Sequence, residues 1–122
     1  MLKLDLDGRI DWKRIRAVKE IFQLKIDFDK SKISRTKKGH HIKLEVDNKM
    51  DDEFMCFLQE AMGSDFSREC LNMRRIKFGE QWQKDTWNVL FSKKFYVDTK
   101  GKTTLASEEM ELDNEILRRK LK

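Results

Sequence analysis

The chain has 122 residues, 39% of them apolar and 40% charged, with eight Phe, three Trp and a formal net charge of +5. That apolar content is enough for one packed domain and excludes a mostly disordered chain. Two cysteines, Cys56 and Cys70, exclude a disulfide scaffold or a zinc knuckle, and no window approaches the ~18 apolar residues of a membrane span. The N-terminus shows no secretory leader, so the expected location is the cytoplasm.

Leu2 to Asp7 alternates with a period of two and then meets Gly8. This predicts a strand with Leu2, Leu4 and Leu6 inward and Lys3, Asp5 and Asp7 outward. Asp11 is placed to cap a helix from Trp12, with Trp12, Ile15, Val18 and Phe22 on its apolar side. A second alternation runs from Phe22 to Asp29 with its even positions apolar, after which Lys30 to Gly39 reads as an exposed basic loop. The third alternation, His40 to Val46, turns Ile42, Leu44 and Val46 inward and His41, Lys43 and Glu45 outward. Together these two strands predict a hairpin with a long connection. Asp47 or Asn48 then caps a helix striped by Met50, Phe54, Phe57, Leu58 and Ala61 and closed by Gly63. Within it, Cys56 sits in an apolar run and is expected to be a buried thiol.

Strand, helix, strand, strand, helix is the order of an α+β fold of ferredoxin-like or RNA-recognition-motif-like type, with helices on one face of an antiparallel sheet. Leu71 to Phe78 reads as a further strand, and residues 80–88 as a short helix or loop. Val89 to Val97 reads as a strand with Lys93 and Lys94 guarding an edge, followed by a turn at Lys100-Gly101-Lys102. From Ser107 onward the charges run from Glu108, Glu109 and Glu111 to Arg118, Arg119 and Lys120, as the helix dipole favours. The domain organisation expected is one α+β domain over 1–104 and a C-terminal helix over 105–122, packed on that domain or on a partner.

Candidate chemistry follows from side-chain parity. Asp5, Asp7, Asp27, Asp29 and His41 fall on the face that the helices leave uncovered. Two carboxylates spaced Asp-x-Asp on a strand suit a hard divalent cation, which can position phosphates. Lys30 to Lys43 holds six basic residues and no acidic one. Within it Lys32, Ser34, Arg35, Lys37, Lys38 and His41 offer cations and hydrogen-bond donors to a phosphate backbone. Arg74 and Arg75 extend the cationic set, and Trp82, Trp87, Phe91, Phe95 and Tyr96 are interleaved with lysines in a mixture able to stack bases. The bland readings stand beside these: solvated strand positions, a solvated hairpin connection and core aromatics. His40, next to His41, points oppositely along a strand and is expected to be structural. The leading expectation is a DNA- or RNA-binding protein that grips backbone through the basic hairpin and needs no cofactor for binding. The alternatives are a metal-dependent nucleotidyl enzyme and a protein partner, or self-association, through the C-terminal helix.

Leu4-Asp5-Leu6-Asp7-Gly8 and Ser34-Arg35-Thr36-Lys37-Lys38-Gly39-His40-His41-Ile42 resemble the minimal core of the archaeo-eukaryotic primase and primase-polymerase superfamily. The resemblance covers residues 1–46 and marks a reduced or degenerate member, with replication as its context. It implies that Asp5 and Asp7 are metal ligands for Mg or Mn, and that Ser34 and His41 contact nucleotide phosphates. For the family's third metal-binding aspartate, Asp98 is the candidate.

Overall fold

Leucines at every second position of the first strand set the buried face of the sheet. In the computed structural model, which describes residues 1–90, 93–97 and 103–122 (side chains for 1–90 and 109–122), that strand is β1 (Leu2–Asp7). It is followed by α1 (Trp12–Ile21), β2 (Ile26–Arg35), β3 (Gly39–Val46) and α2 (Asp52–Ala61). Then come α3 (Phe66–Phe78), α4 (Gln81–Asp85), β4 (Lys93–Val97), β5 (Thr103–Glu108), β6 (Met110–Leu112) and α5 (Glu115–Leu121). The main sheet is antiparallel with strand order β1-β3-β2-β6, and β4 and β5 form a separate two-stranded ribbon. The fold is α+β, in the ferredoxin-like or RNA-recognition-motif-like arrangement that the sequence predicts. No helix among the described residues is long and apolar enough to cross a membrane.

The core lies between one sheet face and the helices. Leu2, Leu4, Ile33, Ile42 and Leu44 meet Ile15, Leu58, Met62, Leu117 and Leu121, all essentially inaccessible to solvent. Each fully buried leucine contributes roughly 1.5–3 kcal/mol relative to exposure. Leu117 and Leu121 place α5 on the domain rather than on a partner, and Arg16 locks it by donating to the Lys120 carbonyl at 3.0 and 2.6 Å. Of the apolar stripe read from the sequence, Leu117 and Leu121 are thus covered by the domain, whereas Met110, on β6, is exposed.

Caps fix the helix starts. Asp11 accepts from Arg14 N at 3.1 Å, as expected. For α2 the cap is Asp51, which accepts from Phe54 N at 2.8 Å, instead of Asp47 or Asn48. Those two residues close the preceding turn: Asp47 N donates to the Lys25 carbonyl, and the Asn48 amide bridges Lys25 N and the Gln23 carbonyl. Gly63, at φ +103°, ends α2 as foreseen.

Three expectations are corrected. The basic segment from Lys30 is strand as far as Arg35, so only Thr36 to Lys38 forms the turn. Between Asp27 and Lys32 the register shifts by three residues on β2, so Ile26 and Ile33, of opposite parity, both reach the core. Phe22 is not in that strand at all; it caps α1, and Gln23 turns the chain at φ +51°.

Second, Leu71 to Phe78 belongs to helix α3, capped by Asp65. Its inward positions include Glu69 and Asn72, so polarity hides the stripe that would have announced a helix. Third, the chain before α5 is strand: β5 runs to Glu108 and β6 covers Met110–Leu112, pairing with Arg35 to Ile33. The Lys100-Gly101-Lys102 turn, Asp98 and the Phe91 side chain lie outside the described residues, as do the side chains of Lys93, Lys94, Phe95 and Tyr96.

Among the described residues no strand pairs with the outer edge of β1. Lys3 N donates to Gln59 Oε1 (2.9 Å) and Asp5 N to Ser64 Oγ (3.0 Å), while Asp65 N donates to the Asp5 carbonyl (2.7 Å). Arg68 and Asn88 donate to the carbonyls of Lys3 and Met1. Side chains thus complete what a neighbouring strand would have supplied.

Candidate functional site

Period-two alternation puts the polar residues of β1, β3 and β2 on the face opposite the core, and the register brings them into rows. Asp5 stands opposite His41, His41 opposite Ser34, and Ser34 opposite Glu111. Asp7 lies beyond Asp5, opposite Gly39. The carboxylate pair, the serine and the histidine singled out in the sequence, drawn from opposite ends of the stretch from residue 5 to residue 41, are therefore neighbours.

A cleft of about 720 Å³ opens beside this row, within the size range of ligand sites. One wall carries Asp5, Asp7, Thr36, Lys37, Lys38 and His41. The facing wall comes from α3, α4 and the chain after them, with Arg68, Leu71, Arg75, Trp82 and Val89. Six of the ten metal- and backbone-binding candidates read from the sequence line one cavity: Asp5, Asp7, Lys37, Lys38, His41 and Arg75. Four do not. Ser34 is buried in the row, Lys32 is exposed one row away, and Arg35 has the opposite parity to Ser34 at the end of β2. Arg74 lines a smaller hollow of about 320 Å³ with Phe78 and Gly79.

His41 is held between two carboxylates. Its Nδ1 lies 2.7 Å from Glu109 Oε2 and its Nε2 3.4 Å from Asp5 Oδ1. Carboxylates only accept, so the ring meets both partners best when both nitrogens carry protons. Burial alone would lower its pKa, but the bonds to Asp5 and Glu109, with their charges, reverse this and raise it. Glu109 was not anticipated: it is 68 residues from His41 in sequence, and no local pattern marks it. His40, as expected, is structural, with Nδ1 donating to the Gly8 carbonyl at 3.0 Å.

The turn above the row is built on close backbone contact. Gly8 N donates to the Lys38 carbonyl at 2.8 Å, and Thr36 N to the Gly39 carbonyl at 2.9 Å. A Cβ on Gly39 would fall 1.9 Å from the Leu6 carbonyl oxygen, so only glycine fits. Lys37 and Lys38 are thereby presented at a fixed place, exposed and without an ion pair among the described residues.

Not every cation at the cleft is available. Arg68 donates to Glu69, to the carbonyls of Lys3 and Val89, and to Asn88 Oδ1. Glu69 is 3% exposed and also accepts from Gln59, Ser64 and Asn72 at 2.8, 2.6 and 2.9 Å. Cys56, buried as expected, donates to the Glu69 carbonyl, and burial followed by the Glu69 charge pushes its thiol up to about 12. This network spends Arg68 on structure. Among the described residues the Arg75 side chain makes one hydrogen bond, to Asn72 Oδ1, and keeps most of its donors.

Trp82, on α4, was anticipated only as part of an aromatic mixture. It is 64% exposed, and its Nε1 donates to Glu80 Oε2 at 3.1 Å. Trp87, from the same mixture, is buried.

Asp5 and Asp7 supply two hard oxygen donors on one strand face. Among the described residues no group of three His, Cys, Asp or Glu side chains assembles to hold a metal, and both nitrogens of His41 are engaged. That donor set does not make a resident metal cage. It fits the other mode of Mg²⁺ binding, in which one or two carboxylates share the ion with substrate phosphates and water. Comparisons with protein-family models, curated proteins and solved structures find no match to this chain.

Proposed function

We propose that this chain binds nucleic acid, with backbone phosphates meeting Lys37, Lys38 and Arg75 along the cleft. The observation that carries the reading is the convergence of these three cations on one cavity without ion pairs among the described residues, while Arg68 beside them is saturated. Unspent cations at fixed positions are what a polyanion can use, whereas paired ones offer little. The exposed Trp82 ring, on the Arg75 side of the cleft, adds a face on which a base can stack. A role in replication comes with the primase resemblance alone.

Fluorescence anisotropy with single- and double-stranded oligonucleotides at two salt concentrations tests this. Binding is expected to weaken with salt, and a Lys37→Ala, Lys38→Ala, Arg75→Ala variant should show a salt slope shallower by up to about three. No binding at low salt, or binding indifferent to the three substitutions, would sink the proposal.

A second reading, metal-dependent nucleotidyl transfer, is favoured by Asp5 and Asp7 on the same wall as Lys37 and Lys38. Here the carboxylates would hold Mg²⁺ or Mn²⁺ shared with the substrate, and the ion would neutralise phosphate charge. Binding that requires the ion and vanishes in Asp5→Asn, Asp7→Asn supports it; metal-indifferent binding removes it.

A further inference from the structure

The same sheet face carries a second row, one step from the Asp5 row. Lys3 stands opposite Lys43, and Lys43 opposite Lys32, so three lysines line up across β1, β3 and β2. The N–H and C=O of Lys3 are turned to the outer edge, toward Gln59 and Arg68. Lys3 and Lys43 are therefore a non-hydrogen-bonded pair, the kind whose Cα atoms approach to about 4.5 Å and whose side chains come closest.

Like charges placed directly opposite on a sheet are destabilising. None of the three lysines makes an ion pair among the described residues. The carboxylates of the same face lie in the rows to either side, with Asp5 two residues from Lys3 and Glu45 two residues from Lys43. The Lys3 ammonium is also disfavoured in place, first by burial and then by Lys43 and Arg68, which lower its pKa. A fold with no use for this row would be expected to break it with a neutral or acidic residue.

We propose that Lys3, Lys43 and Lys32 form a binding site for a phosphoryl oxyanion, supplied either by a free polyphosphate chain or by a nucleic-acid backbone. An anion of that kind offers several oxygens to several ammonium groups at once and relieves their mutual repulsion. The site adds Lys3 and Lys43 to the cationic set and does not rest on the cleft described above.

The probe is inorganic triphosphate, added to the full chain without metal and compared with sodium chloride at matched ionic strength. Thermal unfolding of the wild type should shift upward and saturably with triphosphate and much less with chloride. Lys43→Met should fold with a midpoint no lower than wild type, because a repulsive charge has gone, and should bind triphosphate about tenfold more weakly or worse. Lys32→Met, at an exposed position, should weaken binding in the same direction. An oligo-dT that displaces triphosphate and itself depends on Lys43 identifies backbone as the source; one that does not displace it leaves free polyphosphate.

Equal shifts from chloride and triphosphate would overturn the proposal. So would triphosphate affinity that survives both Lys43→Met and Lys32→Met but is lost in Lys37→Ala, Lys38→Ala, since the anion would then sit at the hairpin turn. Absence of oligonucleotide binding by the wild type at low salt, with triphosphate binding intact, would count against the cleft reading alone.

Discussion

The network around Glu69 and the cleft cations Lys37, Lys38 and Arg75 both draw on charged side chains and do opposite work. In the first, an arginine, a carboxylate, two amides and a hydroxyl satisfy one another, and the strand edge beside them, inside the protein. In the second, cations are held in place by backbone and left with donors to spare. Arginine density in the sequence is the same clue in both places. What separates structure from candidate function is the count of partners already made: Arg68 has none left to offer, and Arg75 does.

The sharpest way to break this comparison is at Glu69. Replacing it with Leu strands the donors of Gln59, Ser64, Asn72 and Arg68, and is expected to cost about 3–5 kcal/mol in urea unfolding. Lys37→Ala with Lys38→Ala should change stability by less than about 0.5 kcal/mol. If the two variants unfold alike, the division between saturated and available charge is wrong.

A smaller effect sharpens the boundary within the cleft wall itself. Gly39→Ala drives a Cβ into the Leu6 carbonyl and should cost about 1–3 kcal/mol, although Gly39 sits between Lys38 and the histidines. A stable Gly39→Ala protein would show that the turn is not held as rigidly as its contacts imply.

The smallest effect expected is at His41, which shares features of both regions. Its folded pKa lies above the ordinary 6.5, so its contribution to stability is fully present below that value and is lost as pH rises through the folded one. Melting temperature should therefore decline above about pH 6.5 in the wild type, and the decline should be shallower in His41→Gln. Parallel pH profiles would mean that Asp5 and Glu109 do not hold the proton.

Much of this was legible in the sequence where one face of an element is apolar throughout. β1, α1, β3 and α2 follow from period alone, and the parity of β1 and β3 placed Asp5, Asp7 and His41 together before any register was known. Legibility ends where a buried residue is polar or a strand is irregular. Glu69 and Asn72 concealed α3, and the extra residues between Asp27 and Lys32 made a strand resemble a loop. Met110-Glu111-Leu112 is too short to outweigh the acidic run that resembles a helix start. Glu109, Arg68 and the lysine row needed tertiary register, because each acquires its meaning from a residue on another strand or helix.

The side chains that complete the outer edge of β1 also bear on how this protein can associate with itself. A bare strand edge invites another chain to add to the sheet, the usual route to fibrils and strand-exchanged dimers. Here Gln59, Ser64, Arg68 and Asn88 occupy the hydrogen-bonding positions along β1, and the opposite edge is the three-residue β6. A strand added beside β1 would therefore have little to grip, and a chain extending the sheet on that side would first have to displace these side chains.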